Sequence, residues 1–267
     1  MFGKRNRQLE ADEPLRPPPE MPQHGDDVGG GGPVPPSAEE KFPWHGDPAW
    51  VACNLAAGNL ANNLVAWVSH DGHVHAETYV AASGAIAGYA AQRSLMAHHG
   101  ATLSPQLQVL TTTAGEKYLL GDPLNAMLFA ESEADADGRV WPRAAGTAMR
   151  AGLPLAQVPN TDDMFRRIAD NLGGPLEGQT STGAQHQPAM PVKQLLALYW
   201  PQVERLFRAD FDELHRRMGP VPTKWWGAVA AYATSRPILD VKDVLAPAIA
   251  LTILMESAIY ASKLTRF

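Results

Sequence analysis

Residues 79–98, YVAASGAIAGYAAQRSLMAH, decide the fold, because small side chains dominate them. Gly84 and Gly88 are four residues apart, so they share one face of a helix. A glycine inside a helix costs roughly 1 kcal/mol relative to alanine, and another interaction has to offset that loss. Small side chains allow a second backbone to approach closely. We therefore predict a helix over 79–98 that packs tightly against a neighbouring helix.

Helices are also predicted on both sides of this stretch. Residues 47–68 carry apolar side chains at roughly helical spacing, although 64–68 could instead form a short buried strand. Asp122, the run Thr161-Asp162-Asp163 and Asp240 are typical of the residues that cap helix N-termini. The later predicted helices cover residues 122–129, 164–172, 192–218 with a break at Pro201, 224–235 and 240–263.

One β-hairpin is predicted between these helices. Residues 106–111, QLQVLT, alternate polar and apolar side chains, and Ala114-Gly115 then turns the chain into 116–120, EKYLL. An isolated hairpin is marginal in water, so this one has to pack on helices or join a larger sheet, as in a dimer. Strands do not alternate with helices, which argues against a doubly wound sheet or a (β/α) barrel. The predicted fold class is mainly α (α+β): a helical domain with a small antiparallel β-hairpin.

The N-terminal segment differs in composition from the rest. Residues 1–45 contain proline and glycine runs and many charges, with almost no large aliphatic side chains to bury. Ordering such a segment costs backbone entropy without compensation, so we predict a disordered tail. A single mainly helical domain then covers 46–267, and Phe42-Pro43-Trp44 marks where the tail first contacts it.

Composition limits the classes of partner. The formal net charge is −6, so no general basic field favours nucleic acid. The single cysteine, Cys53, lies among apolar residues and is expected to be a small buried side chain. The charged start of the chain is unlike a secretory signal, and the apolar run 244–255 is too short to span a bilayer. We expect a cytoplasmic protein with no membrane and no nucleic-acid partner.

The highest density of histidine and acidic side chains lies just before the glycine-containing helix. Residues 69–77, SHDGHVHAE, hold three of the nine histidines and two carboxylates. If 73–77 is extended, His73, His75 and Glu77 point to one face and could bind a divalent metal such as Zn²⁺ or Fe²⁺. If Glu77 is already helical, the triad splits, and the cluster becomes a polar turn whose histidines cap the helix.

Two metalloenzyme families have similar motifs. Residues 71–75, DGHVH, resemble the D-x-H-x-H motif of amidohydrolases. Residues 73–77 resemble the H-x-H-x-D-H motif of metallo-β-lactamases, with Thr78 where that motif has its last histidine. Either resemblance implies a metal-dependent hydrolase, in which His70 and Asp71 would be secondary candidates. Amidohydrolases need a barrel of alternating strands and helices, which this sequence does not predict.

Other residues point to burial and association. Arg93 and Glu256 lie in otherwise apolar helices, so each is expected to have a partner or to reach water, with Glu256 pairing to Arg93 or to Lys263. Trp225-Trp226 indicates either a core between helices or an anchor at a subunit interface.

The sequence therefore favours a self-associating interaction protein over an enzyme. The main prediction is a non-enzymatic interaction or regulatory protein that forms a homo-oligomer, because packing glycines, paired tryptophans and a hairpin all call for neighbours. The alternative is a metal-dependent hydrolase that uses His73, His75 and Glu77. A small-ligand binder between helices is a third possibility.

Overall fold

The structure is a computed structural model that describes Trp44 and residues 50–99, 106–130, 138–210 and 219–267. Most of the described chain is helical, which confirms the mainly α class with small antiparallel hairpins. The helices are α1 (Trp50–Val68), α2 (Ala76–His99), α3 (Asp122–Leu128), α4 (Val140–Arg150), α5 (Thr161–Asn171), α6 (Val192–Phe207), α7 (Trp226–Ala233), α8 (Ser235–Val241) and α9 (Pro247–Lys263). The strands are β1 (Ser69–His70), β2 (His73–Val74), β3 (Gln108–Thr111) and β4 (Lys117–Leu120). Except for Trp44, the predicted tail lies outside the described residues.

Helices α2 and α9 pack against each other at the centre of the fold, and most of their side chains are buried. The glycines of α2 face the backbone of α9. A Cβ on Gly84 would lie 2.9 Å from the carbonyl carbon of Leu254, and one on Gly88 would lie 2.7 Å from that of Ala258. These distances leave no room for a side chain. The predicted close contact is confirmed, and α9 is the partner helix.

The remaining helices pack around this pair, and α6 and α7, which carry Trp200 and Trp226, contact α2. Trp226 is buried, donates a hydrogen bond from Nε1 to the carbonyl of Val221 at 2.8 Å and contacts the rings of Trp200 and Phe207. Trp44 is also buried in the core, which agrees with the predicted point of first contact. Trp226 therefore belongs to a core between helices, as one of the two interpretations predicted.

The predicted hairpin forms from β3 and β4, with Val109 opposite Leu119 and Leu110 opposite Tyr118. Tyr118 is fully buried, and its backbone makes an antiparallel bridge to Leu264, just beyond α9. The outer strand β3 is exposed. The hairpin thus packs on the C-terminal end of α9, as its marginal stability in isolation requires.

Several helix starts differ from the prediction. The N-cap of α5 is Asn160, whose side chain accepts hydrogen bonds from the backbone amides of Asp162 and Asp163, so the predicted cap lies inside the helix. Asp122, the predicted cap of α3, is its first helical residue. The N-cap position is held by Gly121, with φ +147, which has no side chain to cap the helix. Asp240 lies within α8 and does not cap the last helix, which begins at Pro247. Residues 64–68 are helical, not a strand.

No helix in the described ranges is both long and apolar enough to cross a bilayer. Cys53 is buried in α1, as expected for a small apolar side chain. The predicted 192–218 helix is observed as α6, which continues through Pro201 and does not break there. Residues 211–218 of the predicted helix lie outside the described residues.

Candidate functional site

The histidine cluster forms a tight hairpin in front of α2. Strands β1 and β2 pair Ser69 with Val74 and His70 with His73. Asp71 and Gly72 form the turn with φ values of 50 and 76, the left-handed region that suits glycine at the second position. The side chains of His70 and His73 are exposed, so this tip faces solvent.

The backbone after the hairpin turns into helix at Ala76, so residues 73–77 are not one extended stretch. The predicted one-face arrangement of the triad therefore does not form, because Glu77 is already helical. His75 caps the helix instead: its Nδ1 accepts a hydrogen bond from the backbone amide of Thr78 at 3.3 Å and lies 2.8 Å from Thr78 Oγ1. An Nδ1 that accepts this bond leaves Nε2, on the other side of the ring, to face Glu77.

Glu77 connects this cap to a distant loop. One carboxylate oxygen lies 3.0 Å from Nδ1 of His186, and the other lies 3.6 Å from Nε2 of His75. Burial raises the pKa of Glu77, but the hydrogen bond from His186 and the nearby histidines outweigh it, and the pKa falls below its ordinary value. The ionised carboxylate thus holds His186 with a proton on Nδ1.

The structure therefore groups His75 and Glu77 with His186 and leaves His73 on the exposed tip. No three His, Cys, Asp or Glu side chains in the described part of the chain are arranged to hold a metal ion. Metal binding by His73, His75 and Glu77 stays a prediction. Sequence reasoning missed His186, because it lies 109 residues after Glu77 in a polar loop without a recognisable motif.

The polar loop that carries His186, residues 173–190, is tied to the helical core by carboxylates. Glu177 accepts hydrogen bonds from the hydroxyl groups of Tyr118, at 2.5 Å, and Tyr260, and it forms an ion pair with Lys193 at 3.2 Å. Burial raises the pKa of Glu177, but these three partners together lower it below its usual range. Glu177 is thus a structural anchor whose hydrogen-bonding capacity is used within the fold.

Glu256 is a second anchor of this loop. It is 2 % exposed, accepts a hydrogen bond from the backbone amide of Ser181 at 2.5 Å and lies 3.8 Å from Nε of Arg167 on α5. Burial raises its pKa, although the amide and the guanidinium act against this. The expectation that Glu256 pairs across helices is confirmed. The predicted partners, Arg93 and Lys263, were wrong. Arg93 is exposed, and the packing of α5 on α9 brings Arg167 to Glu256 instead.

A different group of residues forms the strongest candidate site. Lys263, the last residue of α9, is 5 % exposed, and no hydrogen bond or ion pair joins its amine to another described residue. Its Nζ lies 5.6 Å from the ring centre of Phe165. Burial in this apolar environment lowers the pKa of Lys263 to about 8.

Lys263 opens onto a cleft of about 300 Å³ between the end of β4, α3, α5 and the end of α9. Phe165 forms part of the wall, and the charged residues of the lining besides Lys263 are Asp122 and Arg166. Asn125 also lines the cleft, and its Oδ1 is buried without a hydrogen-bond partner among the described protein groups. Lys263 is therefore an unpaired donor at the cleft, and the neighbouring Asn125 has a buried oxygen that no described protein group satisfies.

The position of Lys263 is held from the adjacent helix. The side-chain amide of Gln92 in α2 donates hydrogen bonds to the carbonyls of Ser262 and Leu264, both at 2.8 Å. These carbonyls belong to the helix end, where intrahelical partners are lacking. Because the two bonds flank Lys263, they fix its backbone at the wall of the cleft. A rigid support of this kind is typical of functional side chains.

The sequence indicated Lys263 only as a partner for Glu256. A lysine in the last turn of a helix is common, because it interacts favourably with the helix dipole and usually reaches water. Nothing in the local pattern indicates that β4, α3 and α5 cover this one. Its burial is therefore a property of the tertiary fold.

Comparisons with known proteins find no matching family model, no matching curated protein and no matching solved structure. Function belongs to sites rather than folds, and the cleft beside Lys263 combines an unpaired lysine with space for a ligand.

Proposed function

We propose that the protein is a non-enzymatic binding or regulatory protein that takes up a small organic anion in the cleft beside Lys263. The observation that carries this proposal is a lysine that is 5 % exposed, forms no ion pair with a described residue and opens onto a cleft whose other charged lining residues, Asp122 and Arg166, are opposite in sign. Burying an ammonium group without a partner costs several kcal/mol. A bound carboxylate would supply the missing counter-charge and recover part of that cost.

The size and composition of the cleft support a small ligand. Its volume of about 300 Å³ is at the lower end of the range for small-molecule sites, about 300–1,000 Å³. Arg166 is largely exposed and already pairs with Asp163 at 2.8 Å. It therefore helps to attract an anion to the mouth of the cleft but adds little to the affinity of the cleft for the bound anion. Lys263 is left as the main binding group.

The test is a thermal-shift titration with acetate, propionate and succinate at pH 7. A ligand at about ten times its Kd stabilises by about 1.4 kcal/mol, which raises Tm by about 3–6 °C in a domain of this size. We expect this shift in the unmodified protein and not in Lys263→Met, which keeps an apolar stem of similar length. Lys242→Met is the matched control, because Lys242 is exposed and pairs with its neighbour Asp243. Equal shifts in both variants, or none in the unmodified protein, contradict the proposal.

A metal-dependent hydrolase remains the second proposal. The support for it is that two of the three predicted ligands, His75 and Glu77, lie close together, with Nε2 of His75 3.6 Å from a carboxylate oxygen of Glu77. Metal analysis of protein purified without an affinity tag tests it. A content of zinc, iron, manganese and nickel below about a tenth of an equivalent would exclude a resident metal.

Self-association also remains a proposal. The features that predicted it have neighbours within the chain: Gly84 and Gly88 pack on α9, Trp226 is in the core and the hairpin packs beside Leu264. Exposed apolar side chains near the start of α1, such as Trp50 and Leu55, are the support that is left. Light scattering at micromolar concentration should give more than one chain per particle, and a monomer contradicts the proposal.

A further inference from the structure

The amine of Lys263 has the surroundings of a nucleophile as well as those of a binding group. An amine attacks a carbonyl carbon only in its neutral form, and desolvation in an apolar pocket favours that form. Lys263 has this environment: it is 5 % exposed, lies against Phe165 and opens onto the cleft. The bonds from Gln92 to the flanking carbonyls hold its backbone in place.

The protonation of Lys263 agrees with this geometry. Its pKa is lowered to about 8 by burial. At pH 7, roughly a tenth of the amine is therefore neutral, which is about 300 times the neutral fraction of an ordinary lysine. The cleft thus presents a partly neutral, reactive amine at pH 7.

We propose that Lys263 forms an imine with a small carbonyl acid, such as a 2-oxo acid or an aldehyde acid, bound in this cleft. The nitrogen lone pair attacks the carbonyl carbon and forms a C–N bond as the C=O π bond breaks, and one proton passes from nitrogen to oxygen to give a neutral carbinolamine. A proton from solvent then converts the hydroxyl group to water, which leaves with the C–O electron pair while the nitrogen lone pair forms the C=N bond. The resulting iminium keeps its one N–H proton or releases it to solvent as the neutral imine. No oxidation or reduction occurs.

The choice of a carbonyl acid rests on the proposed anion site and on the residues that line it. Arg166, at the mouth, favours the carboxylate of an entering ligand. Asn125 lines the same cleft and is positioned to hydrogen-bond the carbinolamine hydroxyl. A ligand that carries both a carboxylate and a carbonyl group uses these features together with Lys263.

Reductive trapping tests the proposal on the full chain. The protein is incubated with glyoxylate and cyanoborohydride at pH 7, and peptide mass mapping then measures carboxymethylation at each lysine. We expect Lys263 to be modified at least about tenfold faster than the exposed Lys242. Excess propionate, which has the carboxylate and lacks the carbonyl, should slow modification at Lys263 and leave Lys242 unchanged.

The outcomes separate this inference from the proposed function on which it rests. Selective, propionate-sensitive trapping at Lys263 supports both. A propionate thermal shift without selective trapping refutes the imine and leaves the anion site intact. Trapping that is equal at Lys263 and Lys242, with no thermal shift, refutes both. Lys263→Met should remove the selective adduct while the modification of Lys242 continues, and a selective adduct on another lysine would overturn the assignment.

Discussion

Replacing Gly88 with alanine directly tests the contact between α2 and α9. The added Cβ would lie 2.7 Å from the carbonyl carbon and 2.8 Å from the Cα of Ala258, and it would overlap the carbonyl oxygen of the same residue. All three atoms belong to the backbone of a buried helix, so no flexible side chain can move aside. The two helices have to separate by roughly 1 Å to restore an ordinary contact distance.

The expected loss of stability follows from two opposing effects. Alanine is favoured over glycine inside a helix by about 1 kcal/mol. Overpacking usually costs about 1–3 kcal/mol, and here the cost is at the upper end, because a gap of 0.5–1 Å weakens dispersion along the whole interface by a quarter to a half. We expect a net destabilisation of about 2 kcal/mol, or a decrease in Tm of about 4–8 °C.

The assay is urea unfolding followed by circular dichroism, with Gly146→Ala as the control. Gly146 lies in α4, and a Cβ there would meet its nearest described neighbour, a guanidinium nitrogen of Arg150, at 3.9 Å. The control should therefore gain about 0.5–1 kcal/mol from helix propensity alone. If Gly88→Ala is as stable as the unmodified protein or gains as much as the control, the close contact does not exist in solution.

Three further predictions concern the buried polar groups. The pKa of Lys263 is about 8 in the folded chain and 10.5 ordinarily, so the unfolded state binds more protons between these values. The stability of the unmodified protein relative to Lys263→Met should therefore rise by about 3 kcal/mol from pH 8 to pH 10.5, a difference that cancels the buried tyrosines, which titrate in the same range in both proteins; a difference that does not change with pH contradicts the assignment. Glu177→Ala removes the anchor of the loop 173–190, so hydrogen exchange of its amides should accelerate about 10-fold or more, and unchanged exchange would show that Glu177 does not hold it. His75→Ala removes the N-cap of α2 and should cost about 1 kcal/mol in urea unfolding, whereas His73→Ala on the exposed tip should be neutral; equal effects would argue against the cap.

Local features of the chain could be predicted because their causes are local. The alternation in 106–111, the turn at Ala114-Gly115 and the apolar residues after it specify the β3–β4 pairing, since side chains alternate across a strand. Small residues over 79–98 predict a helix that another backbone approaches, since glycine there needs compensation. For residues 73–77 the sequence allowed either an extended stretch or a polar turn that caps the helix. Because α2 begins at Ala76, the structure has the capping turn.

The sequence by itself determined the mainly α class, the hairpin and the face of α2 that accepts a close neighbour. Only the tertiary structure decided which helix that neighbour is, that Glu77 meets His186, and that the cleft beside Lys263 exists. The physical reason is that periodicity and capping act over a few residues, whereas burial of a charge depends on what covers it. Lys263 ends its helix as many surface lysines do, and β4, α3 and α5, remote in sequence, remove it from water.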